Sequence, residues 1–289
     1  MPISKKTKGI ILMLLSALFF ALMQTMVKLT GGHIPLFEQV FFRNLISMFI
    51  MMIIIMKNKN SMFGPRKYQP WLFARSFFGF LGVIAMFYAT NHANQADVNT
   101  LTKMSPFLVT IFASVFLKEK ISKIQVPAMV VALIGCIIVA NPTFNSNLFP
   151  LFIAFLNAVT SAVAYTLLSY FKDKVEGVSV IMHFSTFSVV TAGVLMIKGF
   201  VMPTPVEWCL LLLIGIFGAF GQICLTYAYR MAPAAEVSVY NYSGIVFSMI
   251  LGYVVLDQSL GFNSILGALL VVAASVMVYL YNNRKKVKS

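Results

Sequence analysis

The residues of this chain best suited to do chemistry are basic side chains that lie within long apolar segments. Arg43 lies eight residues into an apolar run that begins at residue 35, a depth of roughly 12 Å if the run is helical. Lys103 lies at a comparable depth in another run. A cation held away from water needs a counter-charge or an anionic ligand. We therefore expect Arg43 either to pair with Glu38, one and a half turns earlier, or to bind an acid.

Polar residues fall on one face of several apolar runs, which is typical of helices that line a shared interior. Around Lys103, the members of this face lie within about 100° of one another on a helical wheel: Asn99, Thr102, Lys103, Pro106 and Thr110. The matching face of a later run carries Ser238, Asn241 and Tyr242. Two further runs have steps of four residues: Ser16, Phe20, Gln24 and Lys28, and Asn157, Ser161, Tyr165 and Ser169. Small hydroxyls such as Ser16, Ser161 and Thr110 can instead hydrogen-bond between helices.

These faces predict a substrate site lined by cations, amides and tyrosines, whose rings can stack on a solute while the hydroxyl donates a hydrogen bond. The expected substrate-contacting residues are Gln24, Lys28, Arg43, Tyr88, Asn99, Lys103, Tyr165, Tyr227, Ser238, Asn241 and Tyr242. The candidates for ion coupling are Glu38, Asp97 and Glu236. The competing roles are structural, since Lys28 and Arg75 lie near run ends, where long side chains reach the membrane surface. Asp97 and Glu236 open runs, where a carboxylate complements a helix N-terminus.

The sequence lacks residue patterns typical of catalysis. Cys136, Cys209 and Cys224 are isolated in apolar runs without CxxC spacing, and the histidines sit in separate segments without an HExxH pair. No glycine-rich phosphate loop occurs. We therefore expect no catalytic residue, no metal and no cofactor. Any transport is expected to be driven by the solute gradient, by protons or by exchange rather than by ATP.

The elements that must position these residues are membrane helices. Hydrophobic residues make up 60% of 289 and charged residues 10%, a composition that excludes a soluble globular domain. Apolar runs of about 20 residues, the length needed to cross ~30 Å of hydrocarbon, occur at 9–29, 35–56, 70–90, 96–117, 124–141, 148–170, 178–199, 206–230, 235–256 and 262–281. We number these ten spans in chain order.

The net charge of +14 is an orientation signal rather than a nucleic-acid footprint. If the N-terminus is cytoplasmic and the spans alternate, 17 of the 22 basic residues fall on the cytoplasmic side, and Lys198 alone falls outside. The remaining four lie within spans. The positive-inside rule therefore predicts that both termini are cytoplasmic.

The chain contains an internal duplication. Residues 79–117 and 218–256 align without a gap at an offset of 139, with 11 identities in 39 positions. Because each half has five spans, an odd number, the second half must enter the membrane inverted. We expect repeats at 9–141 and 148–281, and thus an all-α integral membrane protein of ten transmembrane helices in two inverted five-helix repeats.

The chain resembles the drug/metabolite transporter superfamily, in its ten-span branch of paired EamA-type repeats and close to the 35G solute carriers. The matching elements are Ser16-Ala17-Leu18 to Lys28, Phe42-Arg43-Asn44, Tyr88-Ala89, Tyr227-Ala228, and Ser105-Pro106 to Leu117-Lys118-Glu119. One departure is Gln258, which stands where the repeat would place a second Glu. The resemblance implies an inverted-repeat transporter with a central cavity lined mainly by spans 1, 3, 4, 6, 8 and 9, which usually moves metabolites out of bacterial cells.

We expect a secondary transporter in a bacterial inner membrane that carries a small anionic or zwitterionic metabolite, such as a carboxylic or amino acid, by alternating access. Its expected partners are this solute and the bilayer, with no nucleic acid, and the protein is a monomer or a homodimer. A lipid flippase or scramblase and a cationic drug efflux pump are the alternatives. A membrane-embedded enzyme is disfavoured because the His residues and carboxylates are scattered.

Four glycines are expected to serve gating. Gly79 and Gly82 in span 3, and Gly218 and Gly221 in span 8, form small faces that let neighbouring backbones approach and slide.

The inverted repeat predicts the sidedness of four loop positions. Single cysteines at Asn94 and Ser259 should react with an impermeant thiol reagent added outside intact cells, whereas cysteines at Lys120 and Met231 should be protected. The opposite pattern at either pair would exclude this topology.

Overall fold

A computed structural model describes residues 4–93, 95–141, 147–257 and 261–287, and within these ranges every side chain except those at 90, 91, 95–97, 99 and 282–287. In this part of the chain, nine helical segments are long and apolar enough to cross a membrane, and Gln125–Ala140 is a shorter apolar helix. The ten predicted spans are therefore confirmed. Asn94, Gln258 and Ser259 lie outside the described residues.

Eight of the spans are single helices with these bounds: span 1 Lys5–Leu29, span 2 Leu36–Asn58, span 3 Gln69–His92, span 5 Gln125–Ala140, span 6 Leu148–Tyr170, span 7 Gly177–Met196, span 8 Pro205–Met231 and span 10 Phe262–Val287. Span 4 consists of two helices, Gln95–Thr102 and Ser105–Leu117. Span 9 consists of a short helix Ala234–Val237, a 3-10 turn Ser238–Tyr242 and a helix Ser243–Leu256.

Local chemistry explains several helix ends. Gly31 and Gly32 adopt positive φ in the tight turn after span 1, a conformation that costs glycine little. At the start of span 8, Thr204 and Glu207 form a capping box that satisfies otherwise free backbone N–H groups. Spans 4 and 9 both end at a left-handed residue, Lys118 and Asp257 respectively. These two caps occupy repeat-related positions, 139 residues apart.

The packing of the helices follows the repeat. Span 1 packs on spans 8 and 9, and its repeat partner, span 6, packs on spans 3 and 4. Span 2 packs on span 8, and span 7 packs on span 3. Two further contacts join repeat partners directly, span 2 to span 7 and span 5 to span 10. Exchanging the two halves therefore leaves these contacts unchanged, as a two-fold relation between the repeats requires.

Large apolar side chains cover the outer surface, as expected for helices in contact with lipid. Met56, Phe152 and Leu269 are exposed at 71%, 60% and 62%. Trp71 and Trp208, near the starts of spans 3 and 8, are also exposed, where interfacial aromatic residues are common. We use "terminal face" for the face of the bundle at which span 1 begins and span 10 ends.

Spans 5 and 10 approach each other through two glycines. A Cβ at Gly135 would lie 2.7 Å from the carbonyl oxygen of Gly267, and a Cβ at Gly267 would meet the backbone nitrogen of Val139 at 2.9 Å. Such distances are below van der Waals contact, so only glycine permits this spacing of the two helices.

Replacement of Gly135 or Gly267 by alanine should therefore force spans 5 and 10 apart. Overpacking of this kind costs about 1–3 kcal/mol, and we expect a lower melting temperature of the purified protein in detergent. Gly199→Ala is the matched control, because nothing lies within 4 Å of a Cβ at that position. An equal melting temperature for all three variants would exclude close glycine packing between spans 5 and 10.

Candidate functional site

Spans 4 and 9 are interrupted at repeat-related positions. In span 4 the helix breaks at Lys103 and Met104, just before Pro106, which lacks a backbone N–H and cannot continue the hydrogen bonding of the preceding turn. In span 9 the 3-10 turn ends at Tyr242, the residue related to Lys103 by the offset of 139. Irregular backbone at this depth is stable only where protein or a water-filled cavity covers it. The two breaks therefore mark the interior of the bundle.

A cleft that is open to solvent lies beside these breaks. Its lining residues come from spans 1, 3, 4 and 9: Ala21, Gln24, Thr25, Lys28, Met86, Thr102, Lys103, Ile245, Ser248 and Leu256. Gln24 and Lys28 are solvent-exposed although both belong to span 1. Because Lys28 and Leu256 lie at the ends of their spans, the cleft opens on the face opposite the terminal face.

The charge of the cleft is positive. Lys28 and Lys103 line it, and no carboxylate of the described part of the chain lies within ion-pair distance of either. The Nζ of Lys103 lies 3.4 Å from the position that a Cβ would take at Gly244. The helices that begin at Ser105 and Ser243 start at this level, and a helix N-terminus carries partial positive charge. The cleft is therefore arranged to attract an anionic group.

Two repeat-related hydrogen bonds hold the wall of the bundle together. Ser16 Oγ donates to the carbonyl oxygen of Gly221 at 2.8 Å, joining spans 1 and 8. Asn157 Nδ2 donates to the carbonyl oxygen of Gly82 at 2.7 Å, joining spans 6 and 3. The hydroxyl of Ser16 thus forms a hydrogen bond between helices, which is the alternative to lining the interior that was considered for small hydroxyls.

Ser238 and Tyr242 lie in the protein core rather than on the cleft. Both are fully buried, and the hydroxyls of Ser238 and Thr110 are hydrogen-bonded at 3.0 Å. Asn241, on the same turn, is half-buried. The side chains of Asp97 and Asn99 lie outside the described residues.

Arg43 occupies a separate space from Lys103. It lines a narrow void together with Asn44, Ser47, Phe184, Gly218 and Gln222. The carboxylate of Glu38 accepts a hydrogen bond from the backbone N–H of Val201 at 3.1 Å. Within the described ranges no ion pair joins Glu38 to Arg43, so the interpretation of Arg43 as a structural ion-pair partner of Glu38 is wrong.

Arg75 does not reach the membrane surface, contrary to the structural role expected from its position near the start of span 3. It is only 2% exposed, and its guanidinium lies over the ring of Phe184 at 4.1 Å from the centroid. The charge has turned towards the centre of the bundle because the ring face and small neighbours such as Gly79 give it room there.

The tyrosines do not converge on one site. Tyr88 stacks on His92 at 4.1 Å, near the end of span 3. Tyr227 packs against Gly177, near the terminal face. Tyr165 stacks on Tyr229 at 5.7 Å, in the interior. The repeat-related pair Tyr88 and Tyr227 therefore lies towards opposite faces, since the halves are inverted.

The four glycines of spans 3 and 8 make room for side chains of the opposite half. A Cβ at Gly79 would lie 3.1 Å from the ring of Phe184, and one at Gly82 would lie 3.0 Å from Ser161 Oγ. A Cβ at Gly218 would lie 3.0 Å from Arg43, and one at Gly221 would lie 3.0 Å from the ring of Phe20.

Polar contacts close the terminal face, and we call them the terminal-face network: Lys6, Glu119, Ser169, Ala235 and Glu236. Lys6 and Glu236 form an ion pair at 2.8 Å. The carboxylate of Glu119 accepts hydrogen bonds from Ser169 Oγ and from the backbone N–H of Ala235, each at 3.0 Å. Every one of these contacts joins the first half of the chain to the second.

Sequence reasoning did not select Glu119 as a functional residue. The signal that could have found it is the repeat itself, because Glu119 corresponds to Gln258, a position where the two halves differ in charge. Nearby, Arg230 Nη1 donates to the carbonyl oxygens of Phe171 and Val175, which fixes the segment after span 6 to the end of span 8.

Comparison with known proteins finds a family whose model matches this chain. The model of the EamA-like transporter family matches residues 7–141 and 148–280. The chain is 30% identical over 270 residues to the pseudopaline exporter CntI of Pseudomonas aeruginosa, covering 93% of this chain and 94% of the exporter. It is 27% identical to solute carrier family 35 member G1 of Mus musculus, covering 92% of this chain and 77% of that protein. A solved crystal structure has a similar fold, with a TM-score of 0.83, 17% identity and coverage of 96% and 99% of the two chains.

Glu119→Gln should weaken closure of the terminal face, because a hydrogen bond to a charged group contributes about 1.5–3 kcal/mol. The test uses a background without Cys136, Cys209 and Cys224 and with a cysteine at the buried Ser238. This cysteine should react faster in Glu119→Gln than with Glu119 intact when an impermeant thiol reagent has access to the terminal face. Lys120→Gln is the matched control, since this substitution removes one charge at an exposed position outside the terminal-face network. Equal reaction rates in both variants would contradict a closing role for Glu119.

Proposed function

Because the chain belongs to the EamA-like transporter family, within the drug/metabolite transporter superfamily, we propose that it is a secondary transporter of a small anionic or zwitterionic metabolite. The family and its relatives are transporters, and the chain is a multi-pass membrane protein. A carboxylic or amino acid is the solute class that we favour. One observation carries this choice of charge: the cleft beside the broken helices presents Lys28 and Lys103, with no carboxylate among the lining residues that the structure describes.

The preference of the cleft for an anionic solute over a cation is electrostatic. Inside a low-dielectric surround, a charge interacts much more strongly with a ligand than it does in water. An ammonium such as that of Lys103 therefore favours a carboxylate and repels a cation. Gln24, Thr102 and Ser248 add neutral donors and acceptors to the same cleft, which suits a solute with several polar groups.

A cationic drug would need the opposite arrangement, with a carboxylate in the interior. The carboxylates of the described residues lie towards the two faces. Glu38 and Glu207 bond to groups at the face opposite the terminal face, and Glu119 and Glu236 belong to the terminal-face network. This distribution favours an anionic or zwitterionic solute over a cation.

Alternating access is the mechanism that the arrangement supports. The cleft is open on one face while the terminal-face network joins the two halves on the other. We take residues 9–141 and 148–281 as the two bodies that move relative to each other. Inverted repeats can exchange conformations, which turns an opening on one face into an opening on the other.

The sidedness of transport follows from the charge pattern and the relatives. The positive-inside rule favours a cytoplasmic terminal face and an outward opening of the cleft. A pseudopaline exporter at 30% identity favours movement out of the cell. We therefore propose a bacterial inner-membrane protein with both termini in the cytoplasm that works as an exporter or an exchanger.

Neutralising Lys103 should selectively impair acid transport. Lys103→Gln removes a charge-assisted hydrogen bond of at least ~1.5 kcal/mol, which corresponds to about a tenfold loss of affinity. We expect reduced counterflow of labelled succinate, citrate or glutamate in proteoliposomes, whichever the wild type exchanges. Lys198→Gln, at an exposed position of the face opposite the terminal face, is the matched control and should keep wild-type activity.

The same vesicles test the alternatives. Counterflow of a lipophilic cation by the wild type, unaffected by Lys103→Gln, would overturn the assignment of charge. Transfer of a labelled phospholipid between leaflets, in the absence of any soluble solute, would instead indicate a flippase or scramblase.

A further inference from the structure

Two arginines are buried in the interior of the bundle, away from the cleft, and both lie close to Phe184. Arg43 of span 2 is 7% exposed and Arg75 of span 3 is 2% exposed. Phe184 of span 7 lies under the guanidinium of Arg75, and it also lines the void beside Arg43. The two side chains are therefore surrounded by residues of spans 2, 3, 7 and 8.

Both guanidiniums have buried nitrogens without a hydrogen-bond acceptor. The Nε of Arg43 and the Nε and Nη1 of Arg75 are buried without a hydrogen-bond acceptor. No carboxylate of the described residues pairs with either side chain. Burying a charge without a partner is costly, so two buried cations without a counter-charge make this closed arrangement unfavourable by itself.

The surrounding residues are nevertheless shaped to accept the pair. A Cβ at Gly218 would lie 3.0 Å from both the Cγ and the Nε of Arg43. A Cβ at Gly79 would lie 3.5 Å from Nη1 of Arg75. These two glycines are repeat-related, and each leaves space for a cation or for the ring beneath it. The enclosure is thus shaped around the two guanidiniums, and none of the described carboxylates pairs with them.

The depth of the pair points to the terminal face. Arg75 lies six residues after the start of span 3, roughly 9 Å from the terminal face, while Arg43 lies fifteen residues before the end of span 2, roughly 22 Å from it. Lys28 and Lys103 lie on the side of the open cleft. Four cations are therefore distributed in depth from one face of the protein towards the other.

Side chains separate Arg75 from the terminal face. Ser76 Oγ and His183 Nδ1 are hydrogen-bonded at 2.8 Å, and Phe63 lies edge-on to the ring of His183 at 6.2 Å. Phe63 belongs to the segment between spans 2 and 3, and that segment is tied to span 7 because Ser179 Oγ donates to the carbonyl oxygen of Ser61. On the other side, the ring of Phe20 lies 5.9 Å from the guanidinium of Arg43.

We propose that Arg75 and Arg43 form a second anion subsite, which binds a carboxylate of the substrate when the protein opens to the terminal face. This inference rests on the proposed function, because it takes the substrate to be an acid. Two guanidiniums can each hold a carboxylate through parallel hydrogen bonds. The acid supplies the acceptors that the buried N–H groups lack. In the structure the subsite is covered from both sides.

The test is the sidedness of substrate affinity. In proteoliposomes of known orientation, the half-saturating concentration of the labelled acid is measured at each face for wild type, Arg75→Gln and Arg75→Lys. Arg75→Gln should raise it at least tenfold at the terminal face and less than threefold at the opposite face. Arg75→Lys, which keeps the charge but not the fork of donors, should fall between. Arg66→Gln, at an exposed position of the terminal face, is the matched control.

Several outcomes would overturn the proposal. Equal shifts at both faces would indicate a general structural role for Arg75. Wild-type kinetics in Arg75→Gln, together with impaired transport in Lys103→Gln, would refute the second subsite while leaving the proposed function intact. If the wild type transports no acid, the proposed function fails and this inference fails with it.

A measurement of thermal stability covers the case in which Arg75→Gln does not fold. Wild type and Arg75→Lys should be stabilised by the transported acid and not by chloride. Stabilisation by chloride alone would mean that the pair holds a structural inorganic anion, which would also refute the proposal.

Discussion

The structure depends on one constraint, which is that backbone polar groups within a bilayer must be satisfied by the protein itself. Eight spans meet it as continuous helices, but spans 4 and 9 do not, since each is interrupted at a repeat-related position. The surrounding helices cover these interruptions: span 6 packs on both helices of span 4, and spans 1 and 5 pack on the 3-10 turn of span 9. The cleft forms at the place where this cover is incomplete and water can enter.

The scaffold is symmetric but its charges are not. The hydrogen bonds from Ser16 and Asn157 to glycine carbonyls are related by the repeat, as are the left-handed caps of spans 4 and 9. The basic residues of the cleft and the interior, Lys28, Arg43, Arg75 and Lys103, all belong to the first half. The second half supplies the surfaces on which three of them rest, with Phe184 under Arg75, Gly218 beside Arg43 and Gly244 beside Lys103. A relative movement of the halves would therefore change the surroundings of each of these cations.

Acidic and basic residues have different places in this arrangement. The carboxylates of Glu119 and Glu236 lie at the terminal face, where they join the halves through hydrogen bonds and an ion pair. The basic side chains of Arg43 and Lys103 lie in the interior, where the dielectric is lower and the attraction for an anion is stronger. Closing contacts and ligand-attracting charges are thus separated along the membrane normal.

The sequence by itself determined the ten spans and the inverted repeat, because hydrophobic length and an odd span count leave few alternatives. It also put Gln24, Lys28 and Lys103 on polar helix faces, and all three line the cleft, while their contact with a substrate stays a prediction. It did not determine that Arg43 lies apart from Lys103, that Arg75 is buried, or that Glu119 joins the halves. Those outcomes depend on which side chains of distant spans meet and on the path a long flexible side chain takes. Only tertiary packing decides this, because an arginine can reach in several directions from one backbone position.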